Sequence, residues 1–199
     1  MSKRQPALPS IWLVSDARND AVLERQLQRL PRGSGLIFRH YHLPPAERRQ
    51  RFAALARIAR RRGHRVALSG DAASARRWGA DAAYGAPRQL TRGPAILRLV
   101  TAHSLREIGA ARRGRAGAIL LSPVFPTRSH PGAAALGPVR FRLLAARLRL
   151  PVIALGGMTT RHARRTGGAG WAAIDGLCDK TKYSSAHPEL VDGSLLKDS

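Results

Sequence analysis

The sequence predicts a single α/β domain, a small (β/α)8 barrel of the TIM type. Eight short and almost continuously apolar segments recur along the 199 residues, as is typical of strands buried on both faces of a parallel sheet. Segments with helical periodicity separate them, and a chain of this length has room for one domain with a substantial core. Because periodicity does not distinguish a closed barrel from an open sheet, a doubly wound sheet is the alternative fold.

The eight predicted strands share an apolar run of four to six residues. In chain order they cover residues 11–15, 36–41, 65–69, 82–86, 96–101, 118–122, 152–155 and 171–174.

Between the strands, the sequence carries helix start and stop signals. The clearest predicted helix covers residues 46–62, where apolar side chains share one face and Gly63 stops the helix. Ser104 and Glu107 have the spacing of a capping box that opens a second helix. A third helix, over residues 141–148, leads into the seventh strand.

The fourth unit is shorter than the others. Only nine residues, 87–95, separate the fourth and fifth strands, and two of them are prolines. A full helix does not fit into this segment, because proline lacks the backbone N–H that a helix interior needs. We therefore expect either that the barrel is trimmed around the fourth strand or that one of the two neighbouring strands lies elsewhere in the sequence.

Composition sets the predicted domain boundaries. Residues 1–10 are a polar, proline-broken lead, and residues 11–177 hold the barrel. Residues 178–199 contain no arginine but hold three of the four lysines of the chain. This change of composition predicts a flexible C-terminal tail.

The charge of the chain is unusually positive. Thirty-five basic against twelve acidic residues give a net charge of +23, and nearly all of the excess is arginine. Such a surface attracts polyanions. The sequence has no nucleic-acid-binding motif and only 5 % aromatic residues for base stacking. Small anionic ligands are therefore the favoured partners, with a nucleic-acid partner left open.

The sequence predicts a cytoplasmic location. The first ten residues lack the apolar stretch of a secretory signal, and no apolar run approaches the length of about eighteen that a membrane span needs. The single cysteine, Cys178, excludes an internal disulfide and a cysteine-rich zinc site. We expect a soluble protein without a membrane partner; the oligomeric state is left open.

Three segments lie where barrel enzymes place their chemistry, at the C-terminal ends of strands. They are LSPVFPTRSHPG (121–132), PVIALGGM (151–158) and GWAAIDGL (170–177). Gly156 and Gly157 end a buried strand and precede two possible helix N-caps, Thr159 and Thr160. Glycines let backbone N–H groups approach an anion closely, so we predict a phosphate site here, completed by Gly176.

These segments carry a resemblance to a known family. The run Ser-Pro-Val-Phe-Pro-Thr at 122–127, the later Leu136-Gly137 and the apolar strand leading into Gly156-Gly157 resemble the thiamine phosphate synthase and thiazole tautomerase superfamily. WLVSD at 12–16 and Thr-Ala-His-Ser at 101–104 fall at matching intervals. The resemblance covers roughly residues 11–177 and is most specific in the last third of the chain.

The resemblance implies a fold, a reaction and a cofactor. Members of this family are TIM barrels, and the synthases join a hydroxymethylpyrimidine diphosphate to a thiazole phosphate with release of pyrophosphate, using Mg²⁺. It implies that Arg39 and His130 are the catalytic residues, His130 standing where the family has a lysine. The implied phosphate-binding residues are Thr127, Ser129, Gly156 and Gly157, beside Gly176.

The positions at which the family binds magnesium are occupied by other residues in this sequence. Ser69-Gly70 stands where the family has an Asn-Asp pair after the third strand, and Asp71, one place on, is the predicted magnesium ligand. Residues 87–89 replace the family's aspartate after the fourth strand. Arg39, Arg128 and His130 are candidates for the positive charge that a leaving diphosphate needs.

Three alternatives to a synthase follow. A thiazole tautomerase needs an acid-base residue, for which His130 and His103 are candidates, since Pro123 occupies the position of that branch's histidine. A barrel that binds thiazole phosphate without turnover is the second alternative, and a basic RNA-associated protein is the third. His40 and His42 are expected at the solvated surface.

Overall fold

The structure is a computed structural model that describes residues 8–129, 132 and 134–177. Eight parallel strands follow one another around a closed barrel, each paired with the next, and the eighth pairs with the first through Ile11–Trp171 and Leu13–Ala173. This closure confirms the predicted (β/α)8 barrel and excludes the doubly wound open sheet.

The strands begin and end close to the predicted positions. They are β1 Ile11–Val14, β2 Gly35–Phe38, β3 Arg65–Ser69, β4 Ala82–Gly85, β5 Leu97–Ala102, β6 Ala118–Leu121, β7 Val152–Ala154 and β8 Gly170–Ala173. The largest difference is in β2, which was expected to continue to residue 41. It ends at Phe38 because His40 has a left-handed backbone, with φ of +36°, that turns the chain out of the sheet.

The helices lie outside the strands. They are α1 Leu23–Arg29, α2 Pro45–Arg61, α3 Ala72–Arg77, α4 Pro87–Leu90, α5 Leu105–Arg113, α6 Gly137–Ala146 and α7 Thr160–Ala163, and a 3₁₀ helix, Ala17–Val22, precedes α1. The expected trimming near the fourth strand is confirmed, because α4 has only four residues. α6 begins four residues earlier than predicted and has Pro138 in its first turn.

The N-terminus of α5 differs in detail from the predicted capping box. The Ser104 side chain accepts a hydrogen bond from the Glu107 backbone N–H at 3.2 Å, as predicted. The Glu107 carboxylate accepts instead from the backbone N–H of His103, one residue before the cap, at 2.6 Å. The helix therefore fixes the backbone of His103, which follows directly after β5.

Two apolar layers hold the barrel together. The inner layer fills the barrel with side chains from alternate strand positions, among them Trp12, Ile37, Tyr84, Leu120 and Ile153. The outer layer packs the other strand faces against the helices. Because the interior is filled, space for a ligand is left at the barrel ends.

The ends of the chain bear on two further predictions. The predicted tail, residues 178–199, and most of the predicted lead, residues 1–10, lie outside the described residues. Among the helices that the structure describes, none combines the length and the apolar character of a membrane span.

Candidate active site

A cavity of about 510 Å³ opens at the C-terminal ends of the strands. It collects polar side chains from loops far apart in the sequence, namely Arg39, Tyr41, Tyr84, Gln89, Thr101, His103, Ser122, Thr127, Arg128, Ser129, Thr159 and Asp175. Arg39 and the predicted phosphate-binding residues Thr127, Ser129, Gly156, Gly157 and Gly176 all line it. The other predicted catalytic residue, His130, lies outside the described residues.

The loop after β6 is joined to the end of β7 by backbone hydrogen bonds. The N–H groups of Val124 and Phe125 donate to the carbonyls of Leu155 and Gly156, at 2.9 and 3.1 Å. These bonds continue the pairing of the two strands beyond the barrel wall. Thr127, two residues further on, is thereby placed beside the glycines.

The glycines of the site permit an unusually close approach of loops. Gly157 has φ of +62°, and a Cβ at this position would overlap the Pro126 carbonyl and lie 2.8 Å from Phe125 Cβ. At Gly176 a Cβ would overlap the Met158 carbonyl. A larger residue at either position would force apart the loops that follow β6, β7 and β8.

His162 contacts both Gly157 and the loop after β6. Its Nδ1–H donates to the Gly157 carbonyl at 2.7 Å, and its ring stacks on Phe125 with centroids 4.0 Å apart. Thr159, a predicted N-cap, accepts a hydrogen bond from the His162 backbone N–H at 3.2 Å. His162 is not among the residues predicted from the sequence, where its only signal is its position three residues after a capping threonine.

Arg39 lies at the opposite side of the site, and its backbone begins a buried series of hydrogen bonds. Its backbone N–H donates to Ser15 Oγ at 2.8 Å, Ser15 bonds His40 Nδ1 at 2.8 Å, and His40 Nε2 bonds Asp20 at 2.8 Å. At the end of this series, the Arg51 guanidinium also donates to the Asp20 carboxylate, at 2.7 Å. The expected solvated role of His40 is wrong, because this side chain is 1 % exposed.

The protonation of His40 follows from its surroundings. Burial lowers the pKa of His40, and it outweighs the raising effect of Asp20. In the neutral ring Nε2–H donates to Asp20, so Nδ1 accepts from the Ser15 hydroxyl. Ser15 Oγ can then accept a hydrogen bond from the backbone N–H of Arg39, so each donor in this series of three hydrogen bonds has one acceptor.

Arg48, from α2, covers the ends of β2 and β3. Its guanidinium donates to the Arg39 carbonyl at 3.0 Å and to the Ser69 carbonyl at 2.8 Å. It also lies over the rings of Tyr41 and Trp78, 5.3 Å from each centroid. A fixed positive charge therefore occupies the strand ends where the resemblance implies magnesium ligands.

The described residues do not fit a magnesium ion. Asp71 does not line the cavity; it is the N-cap of α3, and its two carboxylate oxygens accept from Ser74 N–H and Ser74 Oγ, each at 2.8 Å. Those bonds lower the pKa of Asp71. Asp175, the one carboxylate in the described lining, pairs with Arg18 at 3.5 Å. Within residues 8–129, 132 and 134–177, no group of three or more His, Cys, Asp or Glu residues could hold a metal.

Two residues of the cavity lining, Tyr84 and His103, carry polar groups that can hydrogen-bond to a heteroaromatic ring of a ligand. Tyr84 is 7 % exposed, burial raises its pKa to about 12, and its hydroxyl makes no hydrogen bond to the rest of the described chain. It is therefore a neutral phenol with an available donor. His103 Nδ1 donates to the Ser122 carbonyl at 2.8 Å, so in the neutral ring Nε2 is the basic nitrogen.

Comparisons with known proteins agree with the resemblance. The chain is 35 % identical over 132 residues to the thiamine-phosphate synthase of Chlorobium luteolum, a match that covers 66 % of this chain and 61 % of that protein. It is 41 % identical over 59 residues to a protein of Aquifex aeolicus with thiamine-phosphate synthase in its name, covering 30 % of this chain and 32 % of that one. The matched segments thus span less than two thirds of these relatives.

A solved structure and a family model complete the comparison. A thiamine phosphate pyrophosphorylase from Pyrococcus furiosus has the same fold, with a TM-score of 0.71 and 20 % identity, over 84 % of this chain and 86 % of that one. The family model described as thiamine monophosphate synthase matches residues 11–177, which is the entire barrel. The chain belongs to the thiamine monophosphate synthase family.

Proposed function

We propose that this protein acts in thiamine biosynthesis or salvage, joining a hydroxymethylpyrimidine diphosphate to a thiazole phosphate with release of pyrophosphate. The observation that carries the proposal is the meeting, in one cavity, of Arg39 and the five predicted phosphate-binding residues. Family membership supports the same reaction. A biosynthetic reaction on phosphorylated small molecules also supports the predicted cytoplasmic location.

The thiazole phosphate is proposed to bind between the loops after β6, β7 and β8. Backbone N–H groups of glycine-rich loops and hydroxyl groups such as that of Thr127 are the groups that hold phosphates in barrel enzymes. Arg128 lies in the same lining and adds positive charge. The packed glycines keep these loops close together, so the phosphate-binding groups are in place before the ligand arrives.

The reacting end of the ligand points away from the phosphate, toward Arg39 and Tyr84. In the reaction the bond between the methylene carbon and the diphosphate oxygen breaks, and the oxygen keeps the electron pair. The thiazole nitrogen then donates its pair to the methylene carbon. The protein must stabilise negative charge on the departing diphosphate and fix both rings, which assigns the first task to arginine and the second to groups such as the Tyr84 hydroxyl.

The test is direct synthesis by the purified protein. The two substrates are incubated with Mg²⁺, and thiamine phosphate is measured as fluorescent thiochrome. Arg39→Ala is expected to reduce the rate by a factor of about 100 or more, the usual effect of removing a group that stabilises developing charge. Arg149→Ala is the matched control, since Arg149 is exposed and precedes β7 at the other end of the barrel. Absence of product from folded protein contradicts the proposal.

One observation favours a second candidate, thiazole tautomerisation. His103 lies in the cavity lining and its Nδ1–H donates to the Ser122 carbonyl, so in the neutral ring Nε2 carries the lone pair that a proton transfer would use. Conversion between thiazole phosphate isomers, followed by NMR, tests this activity. His103→Gln is expected to reduce it by a factor of about 100, and an unchanged rate would leave His130 as the remaining candidate.

The nucleic-acid alternative rests on the net charge of +23 alone. RNA binding that falls steeply with salt and is indifferent to Arg39 and the loop residues would support it.

A further inference from the structure

We infer that the diphosphate subsite of this chain is a guanidinium site that works without a metal ion, with Arg39 as the group that binds the diphosphate and Ser15 and Arg48 as its positioning residues. The inference rests on the proposed function, because it assigns the part of the cavity that would take the second substrate. The guanidinium site takes the place of the magnesium ion that the family resemblance implies.

The backbone of Arg39 is held by hydrogen bonds at both its N–H and its carbonyl. Its N–H donates to the buried Ser15 hydroxyl at 2.8 Å, and its carbonyl accepts from Arg48 Nε at 3.0 Å. Residues at the end of a strand ordinarily have more freedom than this. A side chain whose own backbone is fixed twice is suited to a ligand that must be oriented.

The guanidinium of Arg39 has only a distant acidic partner among the described residues. Asp16 is its nearest acidic partner, at 3.9 Å, and is bonded more closely to Arg18, at 3.0 Å. The guanidinium makes no hydrogen bond within the described part of the chain, and it lies in the cavity lining. Its planar fork of N–H donors matches two oxygens of a phosphate group.

Positive charge is concentrated around the ends of the strands. Arg48 places a second guanidinium on the carbonyls of Arg39 and Ser69, and Arg128 adds a third to the cavity. The only carboxylate in the described lining, Asp175, is paired with Arg18. A divalent cation would meet fixed positive charge here and few oxygen ligands, whereas a diphosphate meets donors and positive charge.

The chemistry balances without a metal. When the bond between the methylene carbon and the diphosphate oxygen breaks, both electrons stay on the oxygen, and Arg39 donates hydrogen bonds to the resulting anion without giving up a proton. The thiazole nitrogen supplies the electron pair of the new C–N bond. Pyrophosphate leaves with its full charge, and the arginines are unchanged.

The test measures binding of inorganic pyrophosphate by isothermal titration calorimetry, in EDTA and again with Mg²⁺. We expect the wild type to bind pyrophosphate in EDTA, with less than a twofold change on adding Mg²⁺. Arg39→Gln is expected to weaken binding by a factor of about 10 or more. Arg149→Gln removes the same charge at the far end of the barrel and is expected to change binding less than twofold.

The positioning role has its own readout. Ser15→Ala removes the acceptor of the Arg39 N–H but keeps the guanidinium group itself. It is expected to weaken pyrophosphate binding by a factor of about 3–10 and to leave the affinity for thiazole phosphate unchanged. A Ser15→Ala variant that loses both affinities equally would show a general structural effect and would contradict the positioning role.

The outcomes separate this inference from the proposed function. Pyrophosphate binding that requires Mg²⁺, or that Arg39→Gln and Arg149→Gln weaken equally, overturns the guanidinium site. Thiamine phosphate formed only with Mg²⁺ leaves the function standing and also overturns the site. Metal-free binding that depends on Arg39, in a protein that forms no thiamine phosphate, supports the site and rejects the synthase reaction.

Discussion

Replacing Gly157 by alanine tests whether the close packing of the loops after β6 and β7 builds the site. Gly157 has φ of +62°, and an added Cβ would overlap the Pro126 carbonyl and lie 2.8 Å from Phe125 Cβ. His162 Nδ1–H also donates to the Gly157 carbonyl at 2.7 Å, so a shift of the glycine backbone would break that hydrogen bond. We expect the substitution to separate the two loops.

The magnitude follows from two costs. A left-handed backbone at a residue with a Cβ costs about 1 kcal/mol, and an extra methyl group in a packed site costs about 1–3 kcal/mol. Together they predict a loss of about 3 kcal/mol in the free energy of unfolding. For a chain of this size, that loss corresponds to a decrease in Tm of about 6–12 °C.

Gly63→Ala separates the two costs. Gly63 ends α2 with φ of +71°, and a Cβ there would meet nothing within 4 Å, so this variant carries the backbone cost alone. Thermal unfolding by circular dichroism gives the difference in stability, and calorimetric titration with thiazole phosphate gives the loss of affinity. We expect binding to be lost in Gly157→Ala and kept in Gly63→Ala. Equal destabilisation of the two variants, with binding retained, would refute the packing argument.

Three further predictions concern single side chains. Tyr84→Phe removes a hydroxyl without a partner in the described chain, so Tm should not fall, while thiazole phosphate affinity should fall by a factor of about 2–12; unchanged affinity by calorimetry would exclude Tyr84 from ring binding. Ser104→Ala removes the N-cap of α5 and should cost about 1 kcal/mol in urea unfolding, whereas no loss would mean that the Ser104 hydrogen bond does not stabilise the helix. Burial lowers the pKa of His64 from 6.5, so the unfolded state binds more protons and stability should fall as pH drops below that value. His64→Gln should reduce the change of the urea midpoint with pH. If the midpoint of the variant changes with pH as much as that of the wild type, other groups cause the loss of stability.

The strands and the glycine loops could be predicted because their causes are local. A parallel strand buried on both faces is an apolar run of four to six residues, and all eight runs lie within a few residues of an observed strand. The short α4 follows from two prolines in nine residues. Gly156 and Gly157 were found because only glycine combines a left-handed backbone with a close approach of loops.

Residues whose roles depend on distant partners could not be found in this way. His40 lies between Arg39 and Tyr41 in a polar segment typical of a surface, yet it is buried because Ser15 and Asp20, 25 and 20 positions away, supply its hydrogen-bond partners. Nothing in the helical pattern of α2 distinguishes Arg48 from the other arginines around it. Its role appears only when α2 packs against the ends of β2 and β3.

The amino-acid sequence by itself determined the barrel, the family and the position of the glycine-rich loops that we propose to bind phosphate, because hydrophobic periodicity and glycine-rich turns are properties of neighbouring residues. The tertiary structure decided the charge of the other half of the site. Barrel closure placed Arg39 and Arg128 in one cavity and Arg48 on the carbonyls of Arg39 and Ser69, while Asp71 stays outside the cavity as the cap of its own helix. Whether a site presents carboxylates or guanidinium groups to a ligand depends on which side chains face the cavity, and only the packing of the helices around the barrel fixes that.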